Sequence, residues 1–230
     1  RLVGSEMCIR DRSLQRVAPE QVGMDSRKLM YADEAIEEAI ANKEIPGAVL
    51  AVVRNGKMAY LKAYGNKRIY PNTEPMTANT IFDMASCSKS MSTAICTMIL
   101  AERGKIRLLD PVSRIPDLLT HSSGLPPYAP AAELEKKYGS PNPTGLMEYI
   151  AGCKRDFKPQ TDFQYSCLNF ITLQHIIEAV SGQSLRDFAR ENIFNVLGMN
   201  HTDYLPCLRD KNGKWINTVP LPENIAPTEK

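Results

Sequence analysis

The chain has 230 residues, 43% of them hydrophobic and 23% charged, which is enough for one sizeable core and ordinary for a globular protein. A net charge of +2 points to neither nucleic acid nor an anionic membrane surface, and no apolar run is long enough to span a bilayer. The cysteines at 8, 87, 96, 153, 167 and 207 are scattered without a Cys-x-x-Cys pair, which argues against a zinc site or a disulfide framework.

Residues 1–12 lack a starting Met and a clean apolar core, and Glu6, Arg10, Asp11 and Arg12 interrupt them. They read as a non-native leader rather than a signal peptide, so fold reasoning begins at residue 13. Asp25-Ser26 can cap a helix that carries Leu29, Ala32, Ile36 and Ile40 on one face and ends before Pro46-Gly47. Val49 to Val53 is a short apolar strand, Asn55-Gly56 a hairpin turn, and Met58 to Ala63 the returning strand, giving a hairpin over 48–63. Polar, Pro-containing sequence then leads to a helix over 86–103. Its Met91, Ile95 and Met98 fall at i, i+4 and i+7, and Gly104 ends it. Its other side, with Ala94, Ile99 and Leu100, is apolar too, which predicts burial within the domain.

The rest, over 117–203, reads as mostly helical. Pro126 to Pro143 is irregular with a short helical stretch at Ala131–Lys137. Thr172 to Val180 is a helix with Leu173, Ile176, Ile177 and Val180 inward, stopped at Gly182. Ser184-Leu185-Arg186-Asp187 resembles a capping box that opens another helix. The tail from Asn212 shows little periodicity.

Ser86-Cys87-Ser88-Lys89 is the segment that carries chemistry. On a helix, positions three apart share a face, so Ser86 Oγ and Lys89 Nζ can meet. A serine hydroxyl needs a neighbouring base, and lysine serves if burial or nearby charge lowers its pKa. The first turn of a helix also favours an oxyanion forming beside the serine.

Several blocks in order extend this motif. They are Ile45-Pro46-Gly47-Ala48, Asn55-Gly56-Lys57, Leu109-Asp110-Pro111-Val112-Ser113, and Leu118-Leu119-Thr120-His121-Ser122-Ser123-Gly124-Leu125-Pro126. Tyr165-Ser166, Ile176-Ile177-Glu178 with Val180-Ser181-Gly182, and Leu197-Gly198-Met199 with Thr202 follow. From about Val17 to Asp203 the chain resembles the serine β-lactamase and penicillin-binding-protein superfamily. The nearest branch is that of class C β-lactamases, D-Ala-D-Ala peptidases and related esterases.

The resemblance implies an α/β (α+β) serine β-lactamase-like fold, an antiparallel sheet flanked by helices beside a mostly helical region. It implies acyl transfer through an acyl-enzyme on an ester, a D-amino-acid peptide or a β-lactam. Ser86 is then the nucleophile, Lys89 the base, and Tyr165 the proton shuttle of a Tyr-x-Asn motif. Cys167 takes the place of that motif's asparagine, where an amide would orient the lysine and the substrate; a thiol is a weak donor and a weaker acceptor. No metal or organic cofactor is implied. The partner is a small-molecule or peptidoglycan-like substrate, and the setting is periplasmic or exported, although no signal peptide is visible.

Two departures from the family stand out. Only Arg114-Ile115-Pro116-Asp117 separates two blocks that usually lie further apart. Neither a Lys-Thr-Gly nor a His-x-Gly motif is present, so residues 13–230 read as an incomplete domain without the C-terminal strands. His121 is expected to be a buried, hydrogen-bonded turn residue, Cys87 a small buried core residue, and Cys87 and Cys167 unpaired thiols near the site. Asn169, two positions past Cys167, should point to another helix face. The competing reading is a non-catalytic homologue or an inactive fragment that keeps the fold.

Overall fold

The computed structural model describes residues 14–108, 114–139, 142–212 and 214–227. The proposed leader and the Leu109–Ser113 block lie outside the described residues. Contacts divide the chain into two compact units. One holds the described residues of Arg1–Asp83 and Pro220–Lys230, the other Met84–Val219.

In the first unit, helix α1 (Ser26–Ala41) starts where the Asp25 carboxylate accepts from the Arg27 N–H at 3.0 Å. Leu29, Ala32, Ile36 and Ile40 are the half-buried stripe that the spacing predicts. They face an antiparallel hairpin, β1 (Gly47–Arg54) and β2 (Lys57–Arg68). At the turn Asn55 and Gly56 both have positive φ, 53° and 68°, as a two-residue hairpin loop requires. The strands pair in register from Gly47↔Gly65, with a bulge between Val52 and Val53. A short strand β3 (Glu74–Pro75) extends the sheet beyond β2.

Asp33 ties α1 to this sheet. Its carboxylate accepts from the hydroxyls of Tyr60 and Tyr64 and pairs with Lys62 at 3.2 Å. Burial, then the bond to Asp33, push the Tyr64 phenol well above its ordinary pKa. Ile81 and Ile225 form a parallel bridge that brings the chain's later segment back to this unit.

The second unit is mainly helical. A turn at Ala85–Ser86 opens a continuous helix, whose first residues Cys87–Ser88 lead into a π-helical stretch, Lys89–Ala94, and then α2 (Ile95–Glu102). Next come α3 (Ile115–Leu119), α4 (Ala131–Tyr138), α5 (Pro143–Gly152) and α6 (Cys167–Ser181). After α7 (Leu185–Ala189) a second π stretch, Arg190–Phe194, runs into α8 (Asn195–Leu197). A two-stranded ribbon, β4 (Cys207–Arg209) with β5 (Trp215–Asn217), completes the unit.

Two apolar clusters hold these helices. One joins Cys96 and Leu100 of α2 to Ile177 of α6, Leu185, Phe188 and Ala189 of α7, and Ile193 and Phe194. The other joins Ile115 and Leu118 of α3, Leu125, Ile150 of α5, and Leu168, Phe170 and Leu173 of α6. The helix over 86–103, expected to be buried on both sides, is buried on one only. Met91, Ile95 and Met98 are 43%, 38% and 59% exposed, while Ser92, Thr93, Cys96, Thr97 and Leu100 are buried. The buried stripe runs through 92–93, 96–97 and 100, where Cys96 and Leu100 pack on α6 and α7. With apolar side chains on both faces, periodicity alone could not choose between them.

Caps mark the helix starts near the site. Ser166 Oγ accepts from the Leu168 N–H at 3.2 Å and opens α6 five residues earlier than the Thr172 start expected from the apolar pattern. Gly182, in the left-handed region, closes it. Ser184 caps α7, accepting from the Asp187 N–H at 3.1 Å.

Candidate active site

All the residues singled out for chemistry lie within the second unit. Ala85 takes a left-handed φ of 41°, a strained setting for a residue with a Cβ. The chain turns there, so that Ser86 stands exposed at the mouth of the helix. The Cys87, Ser88 and Lys89 N–H groups each donate three residues back, and the π stretch begins at Lys89. One turn on, Lys89 Nζ donates to Ser86 Oγ at 3.0 Å.

Tyr165 reaches the same point from the residue before the α6 cap. Its hydroxyl interacts with Ser86 and with Lys89, and Lys89 Nζ lies 5.4 Å from the centre of its ring. The bond to Ser86 first, and that to Lys89 second, hold the phenol below its ordinary pKa of 10.0. Lys89 moves the other way. Burial works to lower it, but the bond with Tyr165 and the facing Cys167 and Tyr165 outweigh burial, so its pKa is raised above 10.5. The sequence argument required a lysine with a lowered pKa; the surroundings instead favour the ammonium, because two acidic side chains face it.

Cys167, the first residue of α6, is half-buried and interacts with Lys89 through its thiol. It also lines an apolar cavity of about 390 Å³ with Tyr128, Leu134, Tyr138, Leu146 and Ile171. Cys87 and Cys167 are both free thiols. Cys87 is exposed rather than buried, as the first helical residue after the exposed Ala85–Ser86 turn.

Asn169 faces away from the Ser86 cluster, as its helix position predicts. It is 1% exposed, and its amide is committed to Ser123 and His121. His121, with φ 57°, sits in the turn after α3 and is half-buried. Its Nδ1 accepts from the Ser166 N–H at 3.2 Å and from Asn169 Nδ2 at 3.1 Å. Its ring lies 4.5 Å from the Tyr165 ring, centre to centre, with Phe170 at 5.3 Å and Phe163 at 6.1 Å. The turn continues through Gly124, whose φ is 74° and where a Cβ would collide with the Phe157 carbonyl. The sequence motif marks this turn but does not reveal that its histidine touches the tyrosine.

Residues 32–218 match the family model for Beta-lactamase. The chain belongs to the Beta-lactamase family. Among relatives of this family, the chain is similar to the N-acetylmuramyl-L-alanine amidase of Bacillus subtilis. The two are 29% identical over 215 residues, which is 81% of this chain and 48% of the relative. A protein of Escherichia coli K12, provisionally named D-alanyl-D-alanine carboxypeptidase, is 26% identical over 94% of this chain and 54% of its own length. The chain thus spans about half the length of the curated relatives it matches.

Among solved structures, the octameric penicillin-binding protein homologue of Pyrococcus abyssi superposes with a TM-score of 0.63. It shares 28% identity over 89% of this chain and 52% of that one. A class C β-lactamase superposes at a TM-score of 0.65 with 24% identity, over 84% of this chain and 58% of that one. The fold is therefore of the serine β-lactamase type, and the small antiparallel sheet and helical unit are parts of that α/β architecture. No helix among the described residues is long and apolar enough to cross a membrane.

Proposed function

We propose that this chain carries the acyl-transfer site of a serine hydrolase, with Ser86 as nucleophile, Lys89 and Tyr165 as the groups that activate it, and Cys167 on the substrate side. The observation that carries this reading is the 3.0 Å bond from Lys89 Nζ to Ser86 Oγ, with the Tyr165 hydroxyl interacting with both groups. A nucleophile within hydrogen-bond reach of its base, with a third group orienting the base, is the geometry that covalent catalysis needs.

The opposed pKa directions divide the labour. Lys89 stays cationic and draws electron density onto both oxygens. Tyr165, lowered by the same contacts, takes the Ser86 proton as Oγ attacks a carbonyl, and returns it to the leaving group. The acyl group then sits on Ser86 Oγ until water releases it. An ester, a D-amino-acid peptide or a β-lactam offers such a carbonyl. The likeness to the N-acetylmuramyl-L-alanine amidase of Bacillus subtilis and to the Escherichia coli protein provisionally named D-alanyl-D-alanine carboxypeptidase favours a peptidoglycan-like substrate met outside the cytoplasm. The cavity beside Cys167 offers an apolar wall to that substrate.

One observation favours a second reading, a fold that keeps the site with little turnover. Cys167 cannot supply the donor and acceptor of the amide it replaces. Labelling tests the site, and steady-state hydrolysis of an aryl ester by the chain that takes the label separates the two readings. A fluorophosphonate or fluorescent penicillin should mark the wild-type chain on Ser86 and leave Ser86→Ala unmarked. Equal labelling of both, or of neither, sinks the hydrolase reading.

A further inference from the structure

The hydrogen bonds behind Tyr165 run in one direction only. Leu125 donates its backbone N–H to Ser123 Oγ at 3.1 Å, and Ser123 donates its own proton to Asn169 Oδ1 at 2.5 Å. With its oxygen so engaged, Asn169 must turn its NH₂ to His121 Nδ1, at 3.1 Å. The Ser166 N–H donates to the same Nδ1 at 3.2 Å. A backbone N–H cannot reverse its role, so both ends of the chain fix Nδ1 as an acceptor. The imidazole is therefore neutral, with its proton on Nε2.

This ring is held on three sides, by Phe170, by Phe163 and by the two bonds at Nδ1. Its remaining close neighbour is the phenol of Tyr165, at 4.5 Å and a tilt of 38°. Tyr165 itself is 41% exposed, with Lys89 Nζ 5.4 Å from its ring on the side of the nucleophile. We infer that His121 is the positioning residue for Tyr165: fixed as a neutral acceptor by Asn169 and Ser166, its ring sets where the phenol stands over Ser86 and Lys89.

The inference rests on the reading of Ser86, Lys89 and Tyr165 given above. It adds a pH dependence. The titratable groups facing the ring are Lys89, from the nucleophile helix, and Tyr165; Asn169, Ser166, Phe163 and Phe170 carry no charge. Protonation would turn Nδ1 into a donor that faces two donors, and would set a second cation beside Lys89. Burial, and then the Lys89 charge, hold the imidazole below its ordinary 6.5, so the neutral form persists to pH values below that and is lost as pH falls further.

Two variants test this. His121→Phe keeps a ring and removes the acceptor. His121→Asn keeps an acceptor, tolerates the left-handed backbone and cannot titrate. Two readouts are needed. The first is the Tyr165 phenol titration, followed by ultraviolet difference absorbance against Tyr165→Phe, which requires no turnover. The second is the pH profile of kcat/KM for an aryl ester. In His121→Phe the phenol titration should move back toward 10.0, and kcat/KM should fall about 10–100-fold, mainly in kcat. In the wild type the fall of kcat/KM toward acid pH that Tyr165 sets should steepen below pH 6.5, and His121→Asn should lack that steepening. An unchanged phenol titration in His121→Phe overturns the inference, as does a steepening below pH 6.5 that survives in His121→Asn. If Ser86 takes no label in the wild type, the hydrolase reading fails, while the phenol titration still judges the role of His121.

Discussion

Replacing Asn169 by alanine tests whether the turn after α3 and the start of α6 are one polar unit. The side chain is 1% exposed and accepts from Ser123 Oγ at 2.5 Å. Its loss leaves the buried Ser123 hydroxyl without an acceptor, which costs about 1–3 kcal/mol. His121 Nδ1 keeps the Ser166 N–H and is not orphaned, so only the net value of that second bond, about 1 kcal/mol, is added. The sum is about 2–4 kcal/mol. For a chain of this size each kcal/mol lowers Tm by about 2–4 °C, so the drop should be about 4–16 °C. Thermal unfolding followed by circular dichroism measures it. The cycle with Ser123→Ala sharpens the test. Once either partner is gone the other has nothing left to lose to it, so the double variant should be more stable than the sum of the singles by about 0.5–3 kcal/mol. A fall of less than about 2 °C in Asn169→Ala, or strictly additive effects, refutes the reasoning.

Two further outcomes follow from the site. Cys167→Asn restores an amide beside Lys89, and one neutral hydrogen bond to substrate should raise the acylation rate of Ser86 about tenfold, read from the time course of penicillin labelling. No change or a loss would mean that the thiol is adapted to this site. The opposed pKa directions also predict the alkaline side of the kcat/KM profile for an aryl ester. Activity should rise with pH as the Tyr165 phenolate forms below 10.0, hold while Lys89 is cationic, and fall only above 10.5. Tyr165→Phe should lack the rise; a decline that begins near neutral pH would show that Lys89 has a lowered pKa after all.

Much of the site could be read from the sequence because its closest pair is local. Ser86 and Lys89 are three residues apart, and helical geometry alone brings them together. The π stretch that follows was not legible, since nothing in Lys-Ser-Met-Ser-Thr-Ala distinguishes a bond to i+5 from one to i+4; the choice is made where Cys96 and Leu100 pack on α6 and α7. Tyr165 was placed by family resemblance, and His121 only as a turn, because their contact joins segments far apart in the chain. Other misses had usable signals. Asn142-Pro143 is a cap followed by proline at the first helical position, with Asn142 Oδ1 accepting from the Gly145 N–H at 2.7 Å, yet the irregular reading of Pro126 to Pro143 ran through it and no helix start was marked there. Ser166 is likewise an N-cap, hidden by attention to the apolar residues further on.

The Asp33 carboxylate in the other unit has a consequence for how the hairpin can pair. Tyr60, Lys62 and Tyr64 alternate along β2, so all three project from one face of the strand toward a single acceptor on α1. If that strand slipped by one residue against β1, every side chain would change faces. Asp33 would then meet Leu61 and Ala63 instead of two hydroxyls and an ammonium. The apolar content of the two strands barely distinguishes these registers, because β1 reads Ala-Val-Leu-Ala-Val-Val with no polar face of its own. One anion, fixed in place by its helix, thus rejects a competing alignment that hydrophobic burial would accept.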